Sequence, residues 1–301
     1  MRAVVTGGAG FIGSHVVDAL LARGDEVYVL DDLSNGKQAN VAAAAHLHEG
    51  DIRTDAARVF DEAKPEICFH LAAQADVRVS VDRPHDDADV NVIGTIRVLE
   101  AARAHGAKLV FSSTGGAIYG ECEAPAPEDH PRQPLAPYGV SKLCGEEYIA
   151  AYNRLYDTRH VSLRYGNVYG PRQDPHGEAG VVAIFMNRLR ERETPKIFGE
   201  GTQTRDYVFV ADVVAATLAA ADADGGVFNV GTGVETSVLD LYERVQRVSG
   251  IEREAEFAPP RAGELQRSVL DPSLARSELA WKAERSLDEG LAETWASISA
   301  S

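Results

Sequence analysis

The chain has 301 residues, 45% of them hydrophobic and 25% charged, with a formal net charge of −16. That length suits one large domain, or a nucleotide domain with a smaller partner, and it can bury a sizeable core. The acidic balance argues against nucleic acid and anionic membrane surfaces as partners, so an anionic ligand would need basic groups placed locally. Met1 leads straight into an apolar segment, which leaves no room for a signal peptide. No apolar run approaches the roughly 18 residues of a membrane span. The cysteines Cys68, Cys122 and Cys144 form no paired framework and no Cys-x-x-Cys, so reduced thiols and a cytoplasmic location are expected.

Arg2 to Thr6 is short, β-branched and nearly all apolar, and reads as a buried strand. Gly7-Gly8-Ala9-Gly10-Phe11-Ile12-Gly13 follows at once. Ser14 to Arg23 has helical spacing, and Glu26 to Leu30 is a second strand that ends at Asp31. A glycine triplet alone is weak evidence; between a strand and a helix, with an acid after the next strand, it points to a dinucleotide. Gly7 permits the tight turn, Gly10 lets a pyrophosphate approach the backbone, and Gly13 lets the helix pack on the sheet. Free N–H groups at the helix start favour a phosphate. Asp31 suits the hydroxyls of an adenosine ribose, and the carboxylates of Asp31 and Asp32 would repel a 2′-phosphate, so NAD is expected over NADP.

Leu33-Ser34-Asn35-Gly36 is a turn, Val41 to Ala45 a short helical piece, and His46 to Glu49 a third strand. Asp51 at its end either meets the adenine amino group or caps the following helix near Thr54. His46 and His48 alternate without further ligands nearby, so no metal is expected. Ala57 to Ala63 reads as a helix and Ile67 to Leu71 as a fourth strand. Ala72-Ala73-Gln74 then places small residues at the carboxyl end of a strand, where ligands sit in parallel sheets. Pro84 to His105 reads as one long helix. Asn91 within it needs partners from loop backbone or cofactor. Lys108 to Ser113 is a fifth strand, Glu121 to Pro137 a proline-rich loop, Tyr138 to Tyr156 a helix and Val161 to Tyr165 a sixth strand.

This alternation predicts an α/β fold, a Rossmann-type doubly wound parallel sheet. It loosens at Gly166. Val181 to Arg192 is helical, Lys196 to Phe198 and Asp206 to Val210 are strands, and Val213 to Ala221 is a helix returning to the first domain. Val227 to Val230 is a strand, Val238 to Val248 a helix and Glu254 to Phe257 a strand. Pro259 to Gln266 is a loop, and short helices lie around Leu274 and Leu291. The expected division is 1–166 with roughly 207–234 as the NAD-binding domain, and 167–206 with 235–301 as a smaller C-terminal α+β substrate domain.

Tyr138-Gly139-Val140-Ser141-Lys142 puts Tyr and Lys one turn apart on one helix face. An ammonium beside a phenol stabilises the phenolate, and a phenolate near neutrality is a usable general base. Ser112, Ser113 and Thr114 end the preceding strand with hydroxyls that complete such a site.

Thr6 to Gly13, Leu30-Asp31-Asp32, His70-Leu71-Ala72-Ala73, Phe111-Ser112-Ser113-Thr114, Pro137 to Lys142 and Arg205-Asp206-Tyr207-Val208 together resemble the extended short-chain dehydrogenase/reductases. The resemblance is greatest to the UDP-glucose 4-epimerase-like branch and covers essentially the whole chain. It implies that Gly7, Gly10, Phe11, Ile12, Asp31, Asp32, Asn35, Gly36, Asp51, Ile52, Leu71, Ala72, Ala73, Gln74, Tyr138, Lys142 and Tyr165 hold NAD. It makes Tyr138 the base and Lys142 its pKa-lowering partner. The hydroxyl on the sugar is Thr114 or Ser113, because this chain has one more residue before Tyr119 than the family pattern. Thr114, Tyr138, Asn167, Val181, Val182, Ile197, Phe198, Arg205, Arg261 and Glu264 would contact the substrate. Among them Asn167, Arg205 and Arg261 would hold the diphosphate, Phe198 would lie near the base and Glu264 would meet the ribose.

The reaction implied is transient oxidation of a UDP-sugar at C4, rotation of the keto sugar and return of the hydride to its other face. Related dehydratases carry Asp-Glu after the hydroxyl; Gly115-Gly116 stands here and disfavours that reaction. Arg172 is available for a uronate, but Asp174 stands where some uronate enzymes carry a further Arg, so a neutral hexose is expected. Ser268 falls where larger side chains narrow the pocket in glucose-only members, which extends the expectation to N-acetylhexosamines. The nucleotide, UDP, TDP or another, stays open. So do an ordinary dehydrogenase and a non-catalytic NAD-binding regulator, although regulators of that type usually lose the Tyr or the Lys. A homodimer through the helices Pro84 to His105 and Tyr138 to Tyr156 is the family's habit.

Overall fold

The computed structural model describes residues 1–175, 180–260 and 265–299. Its strands are β1 (Arg2–Thr6), β2 (Glu26–Asp31), β3 (His46–Glu49), β4 (Ile67–His70), β5 (Lys108–Thr114) and β6 (Val161–Tyr165). After these come β7 (Asn167–Tyr169), β8 (Lys196–Phe198), β9 (Thr204–Phe209), β10 (Gly226–Val230), β11 (Glu235–Ser237), β12 (Glu256–Ala258) and β13 (Arg267–Ser268). Seven of them form one parallel sheet in the order β10-β6-β5-β4-β1-β2-β3. The order reverses between β1 and β4, and a crevice opens at that point beyond the carboxyl ends of the strands.

Both faces of this sheet are covered, which is why its inner strands β1 and β4 are largely apolar and buried rather than alternating, while the edge strand β3 is His-Leu-His-Glu and partly exposed. Ala3 and Val5 of β1 pack with Val16, Val17 and Leu20 of the Phe11–Ala22 helix, while Val4 packs oppositely with Ile52, Val59 and Phe60. The Val210–Ala219 helix packs against the Phe11–Ala22 helix, as the return expected for that segment requires. Among the described residues no helix is long and apolar enough to cross a membrane.

Several elements differ from the expectation. Val41 to Ala45 is not a helix: a 3-10 turn at Gln38–Asn40 precedes it, and Asn40 Nδ2 donates to Ala9 O at 3.0 Å, tying this stretch to the glycine turn. The helix after β3 spans Ile52–Ala63, because Asp51 caps it by accepting from Arg53 N at 2.8 Å. The helix expected over Pro84 to His105 is present and uninterrupted, but it widens to a π-type turn at Asp89–Ile93 between Pro84–Ala88 and Gly94–His105, and a separate short helix at Val77–Asp82 precedes it. Three short strands escaped the periodicity: β7, β11 and β13 all pair with β9 to form a second sheet. The final helix, Leu287–Ser299, is 13 residues long.

Candidate functional site

The glycine turn follows β1 with little room to spare. Gly7 has φ +71°, and a Cβ there would lie 2.6 Å from Ala72 N; a Cβ at Gly13 would lie 2.1 Å from Gly7 O. Neither position tolerates a side chain, so helix and sheet meet backbone to backbone. No side chain caps the Phe11–Ala22 helix, and Gly10, Phe11, Ile12 and Gly13 line a cavity of about 330 Å³. That cradle fits a bound diphosphate.

Asn35, Leu71, Ala73, Ser112, Ser113, Thr114, Tyr138, Lys142, Tyr165 and Arg172 complete the wall. The cofactor set from the sequence therefore divides. Gly7, Gly10, Phe11, Ile12, Asn35, Leu71, Ala73, Tyr138, Lys142 and Tyr165 converge on this cleft, while the others stand outside its wall. Ile52 is buried in the core beneath the sheet. Asp51 is engaged as a helix cap and by Arg53 Nε, so the capping alternative is the one the geometry displays. Ala72 backs Gly7. The Gln74 side chain is turned to its own loop: Nε2 donates to Asp87 Oδ1 at 2.9 Å, and Oε1 accepts from Asp76 N at 2.6 Å.

Asp31 is buried; its oxygens accept from Ala9 N and Leu33 N, each at 2.9 Å. Burial holds its carboxyl above the usual range against those two bonds. Each oxygen keeps a lone pair for a ribose hydroxyl. Asp32 accepts from Ser34 N and Oγ, and Gly36 lies against Asp31 Oδ1. His46 and His48 both stack on Tyr28, with centroids 4.6 and 6.0 Å away, a packing role.

Tyr138 and Lys142 lie in the first turns of the Pro137–Tyr156 helix, whose N1 position is Pro137. Lys142 is 3% exposed; its Nζ donates to Ser112 O at 2.8 Å and sits 4.8 Å from the Phe111 ring centroid. Tyr138 is half-buried, with its ring on the same cleft. Tyr165, also on this wall, shares a 2.7 Å hydrogen bond with Thr217 Oγ1, and burial pushes its phenol up.

The two hydroxyls differ in their commitments. Ser113 Oγ donates to Glu146 Oε1 at 2.5 Å, and Glu146 pairs with Arg164 at 2.7 Å, both 3% exposed. Arg164 also donates to Tyr119 Oη and Glu128 O. Ser113 thus belongs to a buried polar network behind the strand, whereas the Thr114 hydroxyl has no hydrogen-bond partner among the described residues. Between Thr114 and Tyr119 the chain makes a helical turn at Gly115–Ile118.

A second cavity of about 710 Å³ is lined by Gly116, Ala117, Asn167, Val181, Ile184, Phe185, Arg188, Lys196, Ile197, Phe198, Arg205 and Tyr207, among others. Thr114 and Gly166 wall the first cavity while Gly116 and Asn167 wall the second, so the two adjoin. Of the expected substrate residues, Asn167, Val181, Ile197, Phe198 and Arg205 converge here. Val182 does not: it is 1% exposed in the hydrophobic core. Arg261 and Glu264 lie outside the described residues. Tyr207 was missed, although the two-residue period of Arg205-Asp206-Tyr207 signals it. Asp206, on the other face of β9, is a buried clamp accepting from Thr232 N, Gly233 N and Leu270 N. Arg172 faces the first cavity and pairs with Asp18 at 2.7 Å, away from the second. Ser268 is buried on β13, in register with Arg205.

A profile of the NAD dependent epimerase/dehydratase family matches residues 3–231. A UDP-glucose 4-epimerase of Mycolicibacterium smegmatis is 50% identical over 304 residues, 98% of this chain and 97% of that protein. The crystal structure of a Thermotoga maritima UDP-glucose 4-epimerase with UDP-glucose superposes with a TM-score of 0.98 at 46% identity, covering 100% of this chain and 99% of that one. A Thermus thermophilus UDP-glucose 4-epimerase in complex with NAD gives a TM-score of 0.95 at 44% identity, covering 99% of each chain.

Proposed function

The chain belongs to the NAD dependent epimerase/dehydratase family, and from that premise we propose that it is an NAD-dependent epimerase interconverting UDP-glucose and UDP-galactose at C4. One observation carries the reading: Tyr138, Lys142 and Thr114 share a cleft with the glycine turn, and the adjoining cavity is walled by Asn167 and Arg205. When bound, the nicotinamide supplies a reversible hydride acceptor. Tyr138 takes the proton of the sugar 4-hydroxyl and later returns it. The Lys142 ammonium, held by Ser112 O, favours the phenolate. Thr114 orients the hydroxyl, since Ser113 is engaged by Glu146. Arg205 suits the diphosphate, because a guanidinium forks onto two oxygens. Phe198 and Val181 suit the base. A grip on the nucleotide with looser contacts on the sugar is what rotation of a keto sugar requires.

We assign 1–166 with roughly 207–234 to the NAD half and 167–206 with 235–301 to the nucleotide-sugar half, a division supported by β10 lying at the edge of the main sheet. Three free cysteines support a cytoplasmic location. Exposed Val140, Tyr148 and Leu155 support a homodimer through the catalytic helix. Arg172, paired with Asp18, favours a neutral hexose over a uronate. The small Ser268 beside Arg205 extends the proposal to UDP-N-acetylhexosamines.

Purified protein should carry NAD and interconvert UDP-glucose and UDP-galactose without consuming it. A panel adding UDP-GlcNAc, UDP-glucuronate and TDP-glucose sets the range, and no conversion of UDP-GlcNAc removes the N-acetyl extension. Tyr138→Phe should lower kcat by roughly 10²–10⁴-fold while NAD stays bound. Net NADH release, or full activity in that variant, would overturn the assignment.

A further inference from the structure

A continuous ladder of buried hydrogen bonds runs beneath the cleft and has no part in the chemistry above. Thr95 Oγ1 donates to Asn91 O at 2.7 Å, so its lone pair accepts from His70 Nε2, 3.0 Å away. His70 Nδ1 is then the acceptor for Thr6 Oγ1 at 2.7 Å, and Thr6 Oγ1 in turn accepts from Ala72 N. Only a neutral His70 with its proton on Nε2 satisfies every member. From Asn91 the ladder continues: Nδ2 donates to Gln74 O at 2.7 Å and to Asp87 Oδ1 at 3.0 Å, and Oδ1 accepts from Gln74 N at 2.9 Å. The wide turn at Asp89–Ile93 holds Asn91 in this position. Such turns recur at functional sites. Asp87 is fully buried and ends the ladder by accepting from Ser141 Oγ.

Both ends of this ladder reach the cleft. Thr6 precedes Gly7, and Ser141 precedes Lys142. Asp87 accepts three hydrogen bonds, all from neutral donors, and makes no ion pair among the described residues. One carboxylate therefore joins the loop whose Leu71, Ala73 and Ala75 form one wall to the helix that carries Tyr138 and Lys142. Adjacent residues tether that helix in two directions, Lys142 to β5 and Ser141 to Asp87.

Resting on the assignment of Tyr138 as the base, we propose that Asp87 and Ser141 are positioning residues: their bond sets the height and rotation of the Tyr–Lys helix over the dinucleotide cleft.

The test uses the NAD-loaded Ser141→Ala and Asp87→Asn variants; the second keeps the buried shape, which guards against misfolding. Both should lose about tenfold to a hundredfold in kcat, the loss expected of a reacting group displaced by up to about 1 Å, with KM for UDP-glucose within about twofold. The acid limb of the kcat–pH profile should move to higher pH as Tyr138 loses the settled ammonium. Ser141→Thr, which keeps the hydroxyl, should restore both. Phenolate absorbance, isolated by subtracting the Tyr138→Phe spectrum, should titrate at higher pH in Ser141→Ala than in the parent protein. Variants with a lower melting temperature but unchanged kcat, pH profile and phenolate titration would overturn the proposal. A parent protein inactive on every UDP-sugar would instead sink the epimerase reading, and the phenolate titration would still decide the positioning role.

Discussion

Ser113 and Thr114 adjoin on β5 and both border the cleft, but their hydroxyls are committed differently. Ser113 meets Glu146 and, through it, Arg164; Thr114 is left to face the cleft. Thr114→Val should cost about 10²-fold in kcat, with little change in melting temperature. Ser113→Ala should leave kcat within a few-fold and destabilise the fold by about 1.5–3 kcal/mol, the worth of a hydrogen bond to a charged group. Steady-state kinetics beside denaturant unfolding separates the two, and the reverse pattern would exchange their roles. The motif Phe111 to Thr114 announced a hydroxyl without saying which one. The proposed choice rests on a carboxylate 33 residues further along the chain, which no local reading reaches. Tyr138, Lys142 and the glycines, by contrast, were legible because their chemistry is local: turn geometry in one case, helical spacing in the other.

The Pro137–Tyr156 helix carries two programmes on two faces. Inward lie Gly139, Ser141, Lys142, Gly145, Glu146 and Ile149, and Gly145 lets the backbone come close enough that a Cβ would lie 2.8 Å from the Phe111 ring. Outward, Val140, Tyr148 and Leu155 recur at helical spacing, with Leu155 71% exposed. That row is the surface the proposed homodimer would bury. If the proposed dimer uses it, Leu155→Arg should sediment as a 32.3 kDa monomer where the parent sediments as a dimer; a monomeric parent would remove the dimer. Six of the seven sheet strands were legible from their apolar runs; β3, His-Leu-His-Glu, was legible without one. The wide turn at Asp89–Ile93 was not legible, because Asn91 is held by Gln74 across a loop as well as by Asp87 on its own helix. β7, β11 and β13 span three residues or fewer, and unlike the equally short β8 they were not legible as strands.

For the molecule as a whole, two buried histidines tie stability to pH. Burial, with a contribution from Lys142, pushes His70 down to about 3; burial, with Lys108 nearby, pushes His160 down to about 4, against an ordinary 6.5. The unfolded chain takes up these protons first. Their stabilisation is therefore fully present above about pH 6.5 and is lost as pH falls toward the folded values, at roughly 1.4 kcal/mol per pH unit for each group. Unfolding free energy should decline from pH 6.5 to 5 in urea titrations, and His70→Gln should flatten that slope. A slope unchanged by the substitution would remove His70 from the acid response. Nothing in the composition foretold this, because the nine histidines look alike until burial distinguishes them.

Strand β10 enters at the border of the seven-stranded sheet only after the chain has laid down β7, β8 and β9 elsewhere. Any cut between residues 165 and 226 therefore parts β10 from β6 and leaves that flank of the sheet bare. On the ribosome, the dinucleotide platform stays one ribbon short until most of the walls of the neighbouring chamber have been synthesised.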